Sequence, residues 1–170
     1  MQFCHEYGFA GFTQPRVARE AGVRQSHLTY YYATRIDLLK AVARAAIDRQ
    51  LLASNSVVQT TSPRTAAASL ANVIGRHGNT RVLMALAQAA DQEPALRELF
   101  AELADGIIQR VGKLLERLDV KPSDEHCYLL HALSVGMAVI ALATGRDDSE
   151  RRSVRALELM FRLLKNASVH

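Results

Sequence analysis

The chain has 170 residues, of which 49% are hydrophobic and 22% charged, and its formal net charge is +4. These values exclude a disordered chain and allow one or two folded domains. Runs of alternating β-branched residues are not found, so we predict an all-α fold. Neither a signal peptide nor an apolar stretch of about 20 residues is recognised. Cys4 and Cys127 match no metal or redox spacing, which favours a cytoplasmic location.

A short helix is predicted over residues 1–9. Phe3 and Tyr7 lie four residues apart and share one helical face, and Gly8 ends the helix. Its shortness is consistent either with a native short helix or with an incomplete N-terminus. We treat it as the truncated first helix of the domain that follows.

The segment from Thr13 to Leu39 has the pattern of a helix, a glycine turn and a second helix rich in polar and aromatic side chains. Thr13 is placed to cap the first helix, and Gly22 to end it in a left-handed conformation that needs no Cβ. We expect Ala18 to lie where the helices cross, Val23 to fill their corner, and Leu28 to pack the second helix on the first. This pattern is typical of a helix-turn-helix whose second helix enters the DNA major groove.

The positive charge of the chain is concentrated around this motif, which argues against an ordinary helical hairpin. Residues 13–35 contain four arginines and one acidic residue. Residues 1–53 hold seven Lys and Arg against four Asp and Glu, a net of +3, whereas residues 54–170 hold fourteen against thirteen, a net of +1. The excess therefore lies where DNA phosphates would be bound.

Helices are predicted over most of the remaining chain. Thr34 and Asp37 form a capping-box pattern that begins a helix over residues 35–53. Small polar residues over 54–63 predict a linker. Further helices are expected at residues 63–76, 80–91, 93–118, 123–144 and 149–165. We therefore divide the chain into a helix-turn-helix domain with its connecting helix, residues 1–53, and a second helical domain, residues 54–170.

The side chains facing DNA fall into two groups by position. Those in the first turns of the second helix suit base edges, and they are Arg24, Gln25, Ser26 and His27. A glutamine pairs with adenine through two hydrogen bonds, and Arg24 suits guanine or a phosphate. The other candidates suit contacts to the DNA backbone. Such contacts fix the position of the protein on the duplex but do not read the base sequence. They are Thr13, Gln14, Thr29, Tyr30, Tyr31 and Arg35.

Four stretches of this region resemble the tetracycline-repressor (TetR) family of bacterial regulators. They are GFAGFT, VAREAGV, LTYYY and ATRIDLL, within residues 7–45. The chain departs from the family pattern at Thr29, where tyrosine is usual, at Tyr32, where phenylalanine is usual, and at Arg35, where lysine is usual. The resemblance implies that Tyr32 packs at an apolar position. It also implies a homodimeric repressor whose C-terminal domain binds a small molecule and then releases a DNA operator.

The resemblance further implies where two copies meet and where an effector binds. The last two helices carry small residues and an apolar strip, which predict a dimer interface unless they face the chain's own core. The predicted interface residues are Ala132, Gly136, Ile140, Ala143, Val154, Leu157, Phe161 and Leu164. The predicted pocket residues are His77, Met84, Gln88, Phe100, Leu103, Ile107 and His131. Few charges occur on the apolar faces of the middle helices, which favours an apolar or aromatic effector.

Two other functions are alternatives. One is a DNA-binding protein that responds to a protein partner instead of a small molecule. The other is a small-molecule-binding helical protein, or a thiol enzyme using Cys127, whose helix-turn-helix is vestigial. Cys127 and His131 lie four residues apart, which suits a metal pair or a Cys–His pair. The sequence contains no further pair of metal-ligating residues at a spacing typical of metal sites, and no known catalytic motif. We therefore expect no enzyme activity, metal or cofactor.

Overall fold

The computed structural model describes residues 13–167, apart from the side chain of residue 92. Regular structure within this range is entirely helical, which confirms the all-α prediction. In chain order the helices are α1 (Gln14–Glu20), α2 (Gln25–Tyr31), α3 (Arg35–Val58), α4 (Pro63–Ile74), α5 (His77–Gln92), α6 (Pro94–Arg117), α7 (Asp124–Thr144) and α8 (Ser149–Ala167). The helix predicted over residues 1–9 and Cys4 lie outside the described residues.

The connecting helix α3 is longer than predicted. It continues to Val58, so the first half of the predicted linker over residues 54–63 is wrong. The hydroxyls of Ser54 and Ser56 donate to carbonyls three residues earlier, and Arg110 Nε donates to the Asn55 amide oxygen over 3.1 Å. Val57 is buried in the core. These contacts hold polar residues in a helix although their composition favours a loop.

The described chain forms two compact units. One contains the described residues up to Arg49 together with Arg81–Glu102, and the other contains Gln50–Thr80 and the described residues from Leu103 onward. Within the first unit, the Arg44 guanidinium on α3 donates to the Glu102 carboxylate on α6, which lowers the pKa of that carboxyl. The inclusion of residues 81–102 in the first unit was not predicted. The predicted functional division of the chain into a DNA-binding domain, residues 1–53, and a second helical domain, residues 54–170, stays a prediction.

The core of the second unit lies chiefly between α4 and α8. Ala66, Ala67 and Ala71 are fully buried, and their small size lets α8 pack closely on α4. On α8, the side chains of Leu157, Phe161 and Leu164 are between 0% and 4% exposed and belong to this core. Val154 is half-buried at its edge. The assignment of Leu157, Phe161 and Leu164 to a dimer interface is therefore wrong, because this strip faces the chain's own α4.

The helix-turn-helix has the predicted turn, but the predicted side chain does not fill its corner. Gly22 adopts a φ of 67°, in the left-handed region where a Cβ is unfavourable. The Val23 N–H donates to the Ala18 carbonyl over 2.9 Å, and Ala18 is 2% exposed. The Val23 side chain is 42% exposed, so the prediction that it fills the corner is wrong. The backbone of Val23 closes the turn instead.

The caps of α3 and α7 agree with the sequence patterns. The Thr34 N–H donates to Asp37 Oδ2 over 2.9 Å, and the Asp37 N–H donates to Thr34 Oγ1 over 3.2 Å, which confirms the capping box. The side-chain and backbone hydrogen bonds from Thr34 lower the pKa of Asp37. At α7, the Ser123 hydroxyl accepts from the His126 N–H, and Gly145 ends the helix with a φ of 57°. The cap of α3 fixes the short connection that follows α2.

Candidate nucleic-acid interface

Helix α2 presents almost its whole surface to solvent. None of its seven residues is buried, and only Leu28 is half-buried. The residues predicted to face DNA from this helix and its N-cap are all exposed: Arg24, Gln25, Ser26, His27, Thr29, Tyr30 and Tyr31. A helix whose side chains have so few packing roles has the surface that major-groove recognition requires.

Three aromatic side chains of α2 contact one another on this surface. The rings of His27 and Tyr31 have centroids 5.4 Å apart, and those of Tyr30 and Tyr31 meet edge to face at 5.2 Å. Tyr30 is 82% exposed and Tyr31 67% exposed. The ring contacts limit the orientations of the two tyrosines while leaving them at the surface, where a phenol hydroxyl can contact a phosphate.

The underside of α2 packs on the start of α3. Leu38 and Leu39 are buried there, and Leu28 and Tyr32 lie against them. The partly buried residues that complete this cluster are Val17, Ile36 and Val42. The predicted packing role of Tyr32 is confirmed. Leu28 also packs, but its buried neighbours lie on α3 and not, as predicted, on the first helix of the motif.

Gln14 and Thr29 have internal partners that the sequence did not predict. The Gln14 side-chain amide donates to the Tyr32 carbonyl over 2.5 Å, and the Thr29 hydroxyl donates to the Gln25 carbonyl over 2.9 Å. The single hydroxyl proton of Thr29 is therefore engaged within α2, which removes the support for a phosphate contact from this residue. Thr13 and Arg35 are exposed at the starts of α1 and α3. Together with the two exposed tyrosines, they are the backbone-facing candidates that we carry forward.

A second surface feature lies on α7 and is mostly apolar. We call it the apolar stripe; it consists of Tyr128, Leu129, Ala132, Val135, Gly136, Ile140 and Ala143. Its large side chains are between 48% and 65% exposed, and a Cβ added to Gly136 would meet no atom within 4 Å. On α8, Leu159 and Leu163 are also about half exposed. Exposed apolar surfaces of this kind mark interaction sites.

The apolar character of α7 corrects one sequence expectation. By length and composition this helix could cross a membrane, since a window of it has a mean hydropathy of 1.8, and only 17% of that window is buried. The sequence had been expected to contain no such stretch. His126, His131 and Ser134 interrupt the apolar residues, and the Ser134 hydroxyl donates to the Leu130 carbonyl.

Comparison with known proteins decides the family. The model described as "Tetracyclin repressor-like, C-terminal domain" matches residues 61–163, more than half of the chain and including all of α7. The chain belongs to the TetR family of transcriptional regulators. Its apolar α7 is thus a helix of the family's C-terminal domain. No curated protein matches this TetR-family regulator in sequence.

Solved structures share the fold of this TetR-family chain. A transcriptional regulator from Rhodococcus sp. Rha1 is 19% identical, with 97% of this chain and 91% of that chain covered and a TM-score of 0.82. A TetR-family member from Streptomyces coelicolor A3 is 25% identical, with coverages of 91% and 89% and a TM-score of 0.71. A TetR transcription regulator from Haloarcula marismortui is 18% identical, with coverages of 95% and 91% and a TM-score of 0.77.

The predicted pocket residues of this TetR-family chain are distributed over both units. Met84, Gln88 and Phe100 belong to the first unit, where Met84 and Gln88 are exposed and Phe100 is half-buried. The second unit contains His77, Leu103, Ile107 and His131, of which Leu103 is buried and the others are half-buried. Burial lowers the pKa of His131, which favours the neutral imidazole, a ring with one hydrogen-bond donor and one acceptor.

Two open grooves on the second unit are lined by other residues. One is formed by Arg64, Asp147, Glu150, Arg151, Val154, Arg155 and Glu158. The other is formed by Ile108, Asp124, Glu125, Tyr128 and Leu129. Neither contains a predicted pocket residue, so the pocket stays a prediction for this TetR-family regulator.

Cys127 is a core residue of the second unit. Its side chain is 5% exposed, and burial, together with Asp124 and Glu116, raises the pKa of the thiol. A raised pKa lowers the fraction of thiolate, which is the form that attacks a substrate or binds a metal. Among residues 13–167, no three His, Cys, Asp or Glu side chains are grouped to hold a metal ion. The geometry of Cys127 thus gives the thiol-enzyme alternative no support.

Proposed function

We propose that this TetR-family regulator is a repressor that binds a pseudo-palindromic DNA operator as a homodimer and is released by a small apolar or aromatic molecule. The observation that carries the proposal is the exposed surface of α2. Its polar and aromatic side chains are exposed and take no part in the core, and they lie in a segment with a net charge of +3 over residues 13–35. We also propose a cytoplasmic location, because the regulator must reach its DNA operator there.

The exposed residues of this surface other than Thr29 have proposed roles that follow from their chemistry and position. Gln25 suits adenine, which offers one donor and one acceptor in the major groove, and Arg24 suits guanine, which offers two acceptors. Ser26 and His27 lie beside them in the first turn of α2. The backbone-facing residues Thr13, Tyr30, Tyr31 and Arg35 would bind phosphates and so set the register of α2 in the groove.

The apolar stripe of α7 is the proposed dimer interface, together with Leu159 and Leu163 of α8. Its proposed members include four predicted residues: Ala132, Gly136, Ile140 and Ala143. A second copy of the chain supplies the same surface through two-fold symmetry, so both stripes are covered at once. The two α2 helices of such a dimer would then read the two halves of a pseudo-palindrome.

The effector site is proposed in the C-terminal domain, around the half-buried Ile107 and His131 and the buried Leu103. Mainly apolar side chains with one neutral imidazole suit an apolar or aromatic molecule with a single polar group. Release of DNA requires that this molecule bind the DNA-free conformation more tightly than the DNA-bound conformation.

A titration of the purified protein against DNA fragments flanking its own gene, at two salt concentrations, tests the proposal. We expect tight, salt-sensitive binding to one fragment and a loss of at least about 100-fold in the double variant Arg24→Ala/Gln25→Ala, since each lost base contact costs about 1–3 kcal/mol in each protomer. The double variant Gln109→Ala/Arg117→Ala removes the same residue types from exposed positions on α6 and should bind normally. Equal, weak binding of the wild-type protein to every fragment would contradict the proposal.

The same titration tests the effector when it is repeated with a panel of apolar and aromatic compounds. An effector should weaken operator binding and raise the thermal midpoint of the DNA-free protein, because it binds the folded state. A tight complex with a small dianion that releases DNA would contradict the proposed effector chemistry.

A further inference from the structure

The direction of α2 is set by its tertiary contacts with α1 and α3. The helix has seven residues, none of them buried, and its N-cap residue Arg24 makes no side-chain cap hydrogen bond. A helix this short is not stable on its own in water, so its orientation depends on tertiary contacts. Packing of Leu28 and Tyr32 supplies one such restraint.

Gln14 supplies another restraint at the far end of α2. It is the first residue of α1 and lies 18 positions before Tyr32 in the sequence, yet its amide Nε2 donates to the Tyr32 carbonyl. Tyr32 is the C-cap residue of α2, and carbonyl groups at a helix end lack partners within the helix. The hydrogen bond therefore ties the start of α1 to the end of α2, and it is partly shielded from water.

We propose that Gln14 is a positioning residue for operator recognition and acts through the Tyr32 carbonyl instead of through a phosphate. The inference rests on the proposed function of α2 in DNA binding. Seven helical residues span about 10 Å, so a tilt of about 10° at the C-terminal end displaces the base-reading turn by about 2 Å. A base-edge hydrogen bond does not survive a displacement of that size. Gln14 would thus keep Gln25 and Ser26 in register with the bases.

This role predicts an effect on specificity and not on general DNA affinity. Non-specific binding depends on the attraction between basic side chains and phosphates, and a neutral amide adds nothing to that attraction. Specific binding needs α2 in one orientation. Loss of the Gln14 hydrogen bond should consequently lower the ratio of operator affinity to non-specific affinity.

Gln14→Met tests the inference, because methionine has nearly the length and volume of glutamine but no donor. We would compare affinities for a duplex enriched by the wild-type protein from a random-sequence pool and for a scrambled duplex, and measure hydrogen exchange of the Tyr32 amide, which donates to the Leu28 carbonyl. We expect the affinity ratio to fall about three- to tenfold, with scrambled binding unchanged and Tyr32 exchange faster. Gln109→Met, at an exposed site on α6, is the matched control.

Other outcomes overturn the inference in distinguishable ways. An equal loss of affinity for both duplexes would mean that Gln14 binds a phosphate directly, and unchanged values for both would mean that the hydrogen bond has no role in recognition. Should Gln14→Met fold poorly, Gln14→Asn keeps a polar amide that is too short to reach Tyr32, and the same fall in the ratio is expected. A wild-type protein that enriches no duplex would refute DNA recognition by α2 itself, and with it the inference.

Discussion

Replacing Ile140 with glutamate should convert the proposed dimer to a monomer and lower affinity for the proposed operator by at least about 100-fold. Ile140 is 62% exposed on the apolar stripe of α7, so a glutamate is tolerated by the single chain. In a two-fold interface the substitution would place two carboxylates in apolar surroundings, which costs far more than the lost apolar contact. Linking two binding modules raises the apparent affinity about 10²- to 10⁴-fold, and a monomer forfeits that gain.

Sedimentation of the free protein and titration of the operator measure the two parts of this prediction. Leu52→Glu is the matched control, since Leu52 is 68% exposed on α3, outside the stripe, and should leave both mass and affinity unchanged. A dimeric Ile140→Glu variant with normal operator affinity would show that the apolar stripe is not the surface that joins the two copies.

Replacing Phe161 with alanine should lower the free energy of unfolding by about 3–5 kcal/mol. Phe161 is 1% exposed in the core between α4 and α8, a core that also contains several buried alanines. Their short side chains cannot reorient to fill the cavity that the substitution would leave. Urea denaturation at a fixed protein concentration measures the effect. Because Phe161 faces the chain's own core, the loss should persist in the monomeric Ile140→Glu background.

Leu163→Ala on the same helix separates the core of α8 from its exposed face. Leu163 is 55% exposed, so in the monomeric background its removal should change the free energy of unfolding by about 0.5 kcal/mol or less. In the dimeric protein it should instead weaken association. Equal destabilisation of the monomer by Phe161→Ala and Leu163→Ala would contradict the assignment of these two residues to different faces.

Local patterns in the sequence predicted most of the helix-turn-helix, but not the exposure of Val23 or the absence of a cap hydrogen bond from the Thr13 side chain. The left-handed Gly22, the small Ala18 and the Thr34–Asp37 capping box follow from backbone and hydrogen-bonding rules that act within a few residues, and each appears in the structure. The exposure of the α2 side chains was predictable as well. Once the apolar residues of the motif had been assigned to packing, the remaining polar and aromatic residues of α2 had to lie at the surface. Such features depend little on the rest of the chain.

Features that depend on contacts between residues far apart in the chain were not predicted from the sequence. Val57 and Asn55 continue α3 through contacts with the second unit's core and with Arg110, and no local signal marks them as helical. The role of Gln14 requires the Tyr32 carbonyl, 18 residues away. Helical periodicity separated the two faces of α8 but did not identify which face meets α4, so the buried Phe161 was assigned to an interface that Leu163 is better placed to form.

The measurement that most directly tests DNA recognition by α2 is a selection of duplexes from a random-sequence pool by the wild-type protein and by Gln25→Ala. We predict that the wild-type protein enriches one pseudo-palindrome, with half-sites separated by about one turn of DNA or a multiple of it. Gln25→Ala should enrich the same motif with relaxed preference at one symmetry-related pair of positions. Enrichment of no motif by the wild-type protein, or of an identical motif by both proteins, would contradict base reading by Gln25 on α2.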